Sequence, residues 1–270
     1  IFLLRIGPAI PYRDWDNSVI KSALASDDAT SLLETQPSIE YQEGRSLMNE
    51  LKEKGWRAVI SESGFSEGQP NFVFQLELKG VSEAKLLEGF NQLWRRNIKK
   101  ADKEGVEVSE GIRQDLALFH QVYVETAKRD NFTPRPLRYF ERMWDELNKN
   151  DKHLTLYLAQ WQGQVIAATI AIRVGNHLWY SYGASSAFGR EARGSNAIQW
   201  AMIKDAIDQG AECYDMRGIT PTLNPKDPHV GLIQFKVGTG GYARQLVGEW
   251  EKPISRLWSF AFATYLRLRK

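Results

Sequence analysis

The sequence predicts an α+β protein in two similar parts, and three observations carry that prediction. Residues 154–160, 164–174 and 177–184 read as three strands joined by tight turns at Gln162-Gly163 and Gly175-Asn176, the signature of antiparallel hairpins. Helical apolar periods flank them at 114–130, 137–148 and 196–209. The stretch before Gly111 has comparable helix and strand content without a close sequence repeat. A unit of helix, helix, three antiparallel strands, helix, strand, loop and strand is therefore expected over 111–237, after a first unit over 1–110 that 238–270 completes.

Taken in order, residues 1–6 (IFLLRI) read as a core strand, broken by Pro8 and Pro11. That strand has no lead-in and no initiating Met, so upstream sequence is expected. Residues 14–40 are polar, and within them 22–38 (SALASDDATSLLETQPS) read as the loosest region of the chain. Leu47, Met48 and Leu51 make 42–54 a helix stopped by Gly55. A strand follows at 56–60, then a loop at 64–70. Residues 71–78 (NFVFQLEL) alternate and read as a further strand. Ser82 is expected to cap a helix through Trp94, and 95–104 either extends it or starts another, ending at Gly105 before a strand at 106–108. Phe119, Val122 and Tyr123 mark the core face of the helix at 114–130. Beyond 196–209 come a strand at 213–216, a proline-bearing loop at 218–231, a strand at 231–237 and the C-terminal segment 250–270.

Composition bounds the possible functions. At 270 residues and 43% hydrophobic content the chain can bury sizeable cores. A net charge of +2 imposes no global field, so polyanion binding has to come from local clusters. The single cysteine, Cys213, excludes an intramolecular disulfide framework and a cysteine-rich metal site, and it fits the reducing cytoplasm. His120, His153, His177 and His229 show no metal-ligand spacing, so no metal is expected. No apolar run is long enough to span a bilayer. The sequence carries no P-loop, Rossmann fingerprint or Gly-x-Ser-x-Gly elbow.

Five groups of residues carry candidate chemistry. Arg95, Arg96, Lys99, Lys100 and Lys103 recur at helical spacing, so two neighbouring helix faces are cationic. They suit phosphates of tRNA or a diphosphate, and the alternative is a solvated face. Tyr180 and Tyr182 are expected on one strand face with Leu178, as a phenol row for phosphate or sugar or as ordinary strand packing. Arg193, Gly194, Ser195 and Asn196 precede a helix. A richer Arg-Gly-x-Gly turn cradles the cofactor in acyl-CoA-dependent transferases, and a simple helix cap is the other reading. Tyr214, Asp215, Met216 and Arg217 end a strand before a long loop, where Asp215 can orient an amine or pair with Arg217. Lys236 follows Phe235 at an expected strand end, positioned for an oxyanion or phosphate. Gly238, Gly240 and Gly241 beyond it would let backbone approach a ligand.

In combination, RRNIKKADKEGVEV, RQDLALFHQVYVETAKRDNF, AQWQGQVIAATIAIRVGNHLWYSYGAS, YDMRGI and FKVGTGGYARQLVGEW resemble the Fem family of peptidyltransferases, over residues 78–270. The resemblance implies two GNAT-like domains without acetyl-CoA or other cofactor. It implies transfer of an amino acid from aminoacyl-tRNA to the stem-peptide side-chain amine of a UDP-MurNAc-peptide or lipid-linked muropeptide. Lys236 would be the catalytic cation beside Phe235, and Tyr182 and Tyr214 would line the precursor's path. The family's usual beginning, with its phosphate-binding lysine, has no counterpart here, so the first domain is expected to lack its N-terminal part. No heptad run matches the long helical hairpin of FemA and FemB, so a compact, FemX-like monomer is expected, cytoplasmic and in peripheral contact with the inner membrane face. Two alternatives stand beside it: an acyl-CoA-dependent N-acyltransferase and a non-catalytic RNA- or phosphate-binding module.

Overall fold

The computed structural model describes residues 3–26, 29–59 and 68–255. The first half runs β1 (Leu3–Ile6), β2 (Pro11–Trp15), α1 (Asn17–Ala25), β3 (Ile39–Glu40), α2 (Gln42–Glu53), β4 (Arg57–Ala58), β5 (Phe72–Glu77), α3 (Glu83–Gly89), α4 (Gln92–Lys103), β6 (Glu107–Gly111) and α5 (Leu116–Asp130). There follow α6 (Leu137–Leu147), β7 (Leu154–Trp161), β8 (Gln164–Val174), β9 (His177–Ser185), α7 (Gly194–Asp208), β10 (Cys213–Gly218), α8 (Val230–Val237), β11 (Tyr242–Leu246) and β12 (Trp250–Pro253). The expected α+β class holds. The chain forms two compact units, one of residues up to Phe74, Gly218–Val237 and Gly241 onward, the other of Gln75–Arg217 with Gly238–Gly240. Gly111, where the sequence suggests a break, closes β6 and stays with the second unit because β6 pairs with β7 along its whole length.

In the second unit the strands lie in the order β10-β9-β8-β7-β6, with β10 parallel to β9 and the other pairs antiparallel. One face of that sheet is covered by α5 and α6. Leu116, Phe119, Tyr123 and Phe140 pack there on Leu154, Leu156, Leu158 and Ile170. Each such side chain contributes about 1.5–3 kcal/mol by leaving water. Alternation sends Tyr157 to the opposite face, where α7 supplies Asp205 as its hydrogen-bond partner. Helix α5 ends at Asn131, whose left-handed φ of 55° caps it in place of glycine.

The helix expected from Ser82 through Trp94 is two helices. Ser82 Oγ accepts from Lys85 N at 3.3 Å and starts α3. Asn91 Oδ1 accepts from Trp94 N at 2.9 Å and starts α4 after a break at Phe90. Phe90 and Trp94 are both buried, so the break turns one apolar face into two anchors.

In the first unit β3, β2 and β11 lie side by side, with β11 beside β5, and a separate sheet runs β1-β12-β4. Residues 14–40, expected to be polar with 22–38 loosest, include the end of β2, α1 and β3, with Trp15, Ile20 and Leu32 fully buried. Asp14 is buried in the same place. Its carboxylate accepts from Arg244 Nε at 2.9 Å, from Arg244 Nη2 at 2.8 Å and from Tyr41 Oη at 2.6 Å. Strand β1 is not a core strand: among the described residues it sits at a sheet edge, paired with β12, and Leu4 and Ile6 are exposed. Within β5, buried residues run without alternation from Phe72 to Leu76, as befits a strand covered on both faces. The expected loop at 64–70 and the segment 250–270 lie largely outside the described residues.

The largest correction falls at 230–237. The expected strand there is the helix α8, with Val230, Ile233 and Val237 buried at helical spacing. A short apolar run between glycines fits either period, and helical packing decided this one. The longest described helices, α5 and α7, have 15 residues each.

Candidate active site

Lys236 stands in the last turn of α8, a favourable place for a cation near the negative end of the helix dipole. The residue is 3% exposed, and its Nζ donates to the Gly218 carbonyl at 2.7 Å. Its expected position at a strand end is thus corrected, yet its ammonium does meet a strand end, because Gly218 closes β10. Phe235 is half-buried beside it in sequence. A buried ammonium is costly unless oriented dipoles hold it, so this cation is held in place.

The glycines after Lys236 serve packing. A Cβ on Gly238 would lie 2.2 Å from Trp94 Cδ1, and one on Gly240, whose φ is 80°, would lie 2.7 Å from the Gly89 carbonyl oxygen. Backbone approaches α3 and α4 here, where the sequence reading expected a ligand.

Asp215, in the second unit, is 3% exposed. Its Oδ2 accepts from Gln75 Nε2 at 2.9 Å and lies 3.3 Å from His177 Nε2, and its Oδ1 accepts from Arg217 N at 2.5 Å. The parallel register that sets Cys213 against His177 and Asp215 against Trp179 brings these side chains to one sheet face. Cys213 Sγ lies 3.8 Å from the same His177 nitrogen. Arg217 has a left-handed φ of 64°, uncommon for a bulky residue, and its guanidinium stacks 5.3 Å from the Trp179 ring centroid. Asp215 therefore meets the Arg217 backbone, while the Arg217 side chain goes to Trp179.

The expected phenol row does not form. Between Ile170 and Ala171 the β8–β9 register shifts, so Ile170 faces Tyr182, Ala171 faces Tyr180, and Ser181 is the extra residue of a β-bulge. Tyr182 consequently joins the α5–α6 face, its Oη 3.1 Å from Tyr139 Oη. Tyr180 points to the α7 face and hydrogen-bonds Gln199, and burial raises its phenol pKa. Tyr214 is fully buried, its hydroxyl donating to Gln199 Oε1 at 2.7 Å, and burial pushes its pKa well above the ordinary value. It is a core residue here, with no surface left for a substrate.

Of the cationic helix, Arg95, Arg96, Lys99 and Lys103 are exposed on α4 and Lys100 is half-buried. Trp94 faces the core. Arg193 has a left-handed φ of 65° and makes no side-chain cap, so α7 begins without the Ser or Asn cap expected. Gly194 packs closely here, since a Cβ would lie 2.8 Å from Ile166 Cδ1 and would make that side chain shift. Among the described residues no cluster of His, Cys, Asp and Glu could hold a metal, and no helix is long and apolar enough to cross a membrane.

Sequence reasoning missed Gln75, His177 and Gln199. Gln75 stands 140 positions from Asp215, and nothing local links them. The shared parity of Cys213 with Asp215 and of His177 with Trp179 was a usable signal, but it needed the β9–β10 pairing to be read.

The fold is that of FemX, whose crystal structure matches with a TM-score of 0.72 at 21% identity over 82% of this chain and 72% of that one. The UDP-N-acetylmuramoylpentapeptide-lysine N(6)-alanyltransferase of Weissella viridescens is 28% identical over 258 residues, 92% of this chain and 74% of the relative. A lipid II:glycine glycyltransferase of Staphylococcus epidermidis is 23% identical, covering 90% of this chain and 75% of the relative. Fold and relatives together define a Fem-type aminoacyltransferase. The chain belongs to the FemAB family, which it matches over residues 27–162 and 145–267.

Proposed function

We propose that this protein moves an amino acid from aminoacyl-tRNA onto the side-chain amine of the stem peptide in a peptidoglycan precursor, either UDP-linked or lipid-linked. The observation that carries the proposal is the buried Lys236 ammonium held on the Gly218 carbonyl, in a chain whose relatives are named as alanyl- and glycyltransferases acting on such precursors. The donor is an activated ester, so the reaction asks for positioning and charge stabilisation. The acceptor amine attacks the ester carbonyl, forming the C–N bond and a tetrahedral oxyanion that the Lys236 cation stabilises. Collapse breaks the C–O bond, the amine loses a proton, and the tRNA ribose hydroxyl gains one. Asp215, fixed by Gln75 and the Arg217 backbone amide, is the proposed group that receives the amine proton. The α4 cations are proposed to meet tRNA phosphates. With a lipid-linked acceptor the protein would work as a monomer at the cytoplasmic membrane face.

Incubation with a charged tRNA pool and a UDP-linked or lipid-linked muropeptide, read by mass spectrometry, tests this. The expected product is heavier by one aminoacyl residue. An unchanged muropeptide with tRNA, together with acylation from acetyl-CoA, would overturn the donor assignment.

A further inference from the structure

Helices α4 and α7 pack side by side in the second unit, and with β6 they enclose a groove of about 410 Å³. Its lining includes the small apolar residues Ala101, Ala197 and Ala201. Trp200 contributes its indole, and Phe90 meets that ring edge-on with centroids 5.7 Å apart. Lys99 comes from α4 and Lys204 from α7, with Asp102 as the acidic residue of the lining. Neither lysine forms an ion pair among the described residues. Asn97 of α4 donates to Asn196 Oδ1 of α7 at 3.4 Å, so the Asn196 amide lies between the same two helices. Asn196 is 6% exposed, and its Nδ2 has no hydrogen-bond partner among the described residues.

These features suit one class of ligand. An apolar floor with an indole accepts the face of an unpaired base, whereas two separated ammonium groups accept a backbone that carries phosphates. Arg96 and Lys103, exposed on the same helix as Lys99, extend the positive surface beyond the groove. We propose that the α4–α7 groove holds the single-stranded 3′ end of the RNA donor, with a base against Trp200 and the adjoining phosphates on Lys99 and Lys204. This assignment rests on the tRNA-dependent reading above and adds a subsite to it. The indole of the groove comes from α7, because Trp94 of α4 faces the core.

Fluorescence anisotropy tests the groove with two RNA hairpins, one with a short single-stranded 3′ tail and one blunt. Wild-type protein should bind the tailed hairpin more tightly. Trp200→Leu should weaken that binding by about 5- to 160-fold, the range for one base–aromatic stack, and leave the blunt hairpin unaffected. Trp200→Phe should restore most of the difference. Lys99→Gln with Lys204→Gln should flatten the log–log salt slope for the tailed hairpin by about 1.4. Ala201→Met fills the floor without replacing Trp200 or either lysine, and should abolish the preference for the tail even if Trp200→Leu fails to fold. Equal binding of both hairpins by wild type, or an Ala201→Met variant that keeps the preference, overturns the subsite while donor turnover still stands. If neither hairpin binds and no charged tRNA is consumed, the donor assignment falls as well.

Discussion

The Tyr180 hydroxyl occupies the space that a side chain at Gly183 would need: a Cβ built on Gly183 would lie 1.7 Å from Tyr180 Oη and 2.5 Å from its Cζ. The ring cannot stay where it is if residue 183 gains even one carbon.

Gly183→Ala should therefore destabilise the protein by about 1–3 kcal/mol, the usual cost of overpacking, and drive Tyr180 away from Gln199. Urea denaturation measures the loss. Combining it with Tyr180→Leu should cost clearly less than the two single losses added together, because the clash has gone. Strict additivity would mean that the two residues do not compete for this space.

Lys236→Met should lower aminoacyl transfer by about 10²–10³-fold, the effect of removing one oxyanion donor, while the unfolding transition stays cooperative. Single-turnover kinetics with saturating charged tRNA and muropeptide reads the chemical step. Near-wild-type turnover would make Lys236 a structural clamp on Gly218 alone.

Tyr182 gives a pH dependence whose sign is fixed. Burial, and then the Tyr139 hydroxyl, raise its pKa from 10.0 to about 12 in the folded protein. The folded state thus keeps its proton where the unfolded chain releases it, so this contribution is complete below pH 10 and is lost as pH rises toward 12. Tyr182→Phe should make the fall in urea midpoint between those two values shallower. An identical slope in wild type and variant would remove Tyr182 as its source.

Asp14 and Arg244 predict the steepest loss of stability in the first unit. Burial works against the Arg244 charge, but hydrogen bonds to Asp14 and its attraction hold the guanidinium pKa above its ordinary value. Asp14→Ala leaves that half-buried cation without its carboxylate and should cost about 1.5–3 kcal/mol, the range for hydrogen bonds to charged groups, whereas Asp14→Leu with Arg244→Leu should cost less. Equilibrium urea unfolding of the three variants distinguishes the two outcomes.

Elements with strong local signals were legible in the sequence. The β7–β8–β9 meander, α5 and α6 each carry a clear period and turn chemistry, and they stand where expected. The cationic face of α4 was legible for the same reason. Elements decided by distant contacts were not. The run VGLIQFKV fits strand or helix until its packing is known, and Trp15 looks like part of a polar stretch until Phe72 meets it with ring centroids 6.0 Å apart. The chemistry followed the same divide. Lys236 was legible as a residue but not as a helical one. Gln75 and His177 were invisible because Asp215 recruits them through strand pairing. The tyrosine row failed on one inserted residue that no periodicity announces.

That inserted residue, Ser181, makes β9 a hinge between two separate neighbourhoods. Residues up to Tyr180 follow one phase and those from Tyr182 the other, so each tyrosine answers to a different helix. Substitutions that retune Tyr182 against α6 can accumulate without disturbing Tyr180 beneath α7, and the reverse also holds. Deleting Ser181 would remove the bulge and make Tyr180 and Tyr182 direct neighbours, which alternation still sends to opposite faces. The β8 partners would stay as they are, Ile170 with Tyr182 and Ala171 with Tyr180, in an unbroken register. One strand can therefore lose or keep that residue and still serve two helices.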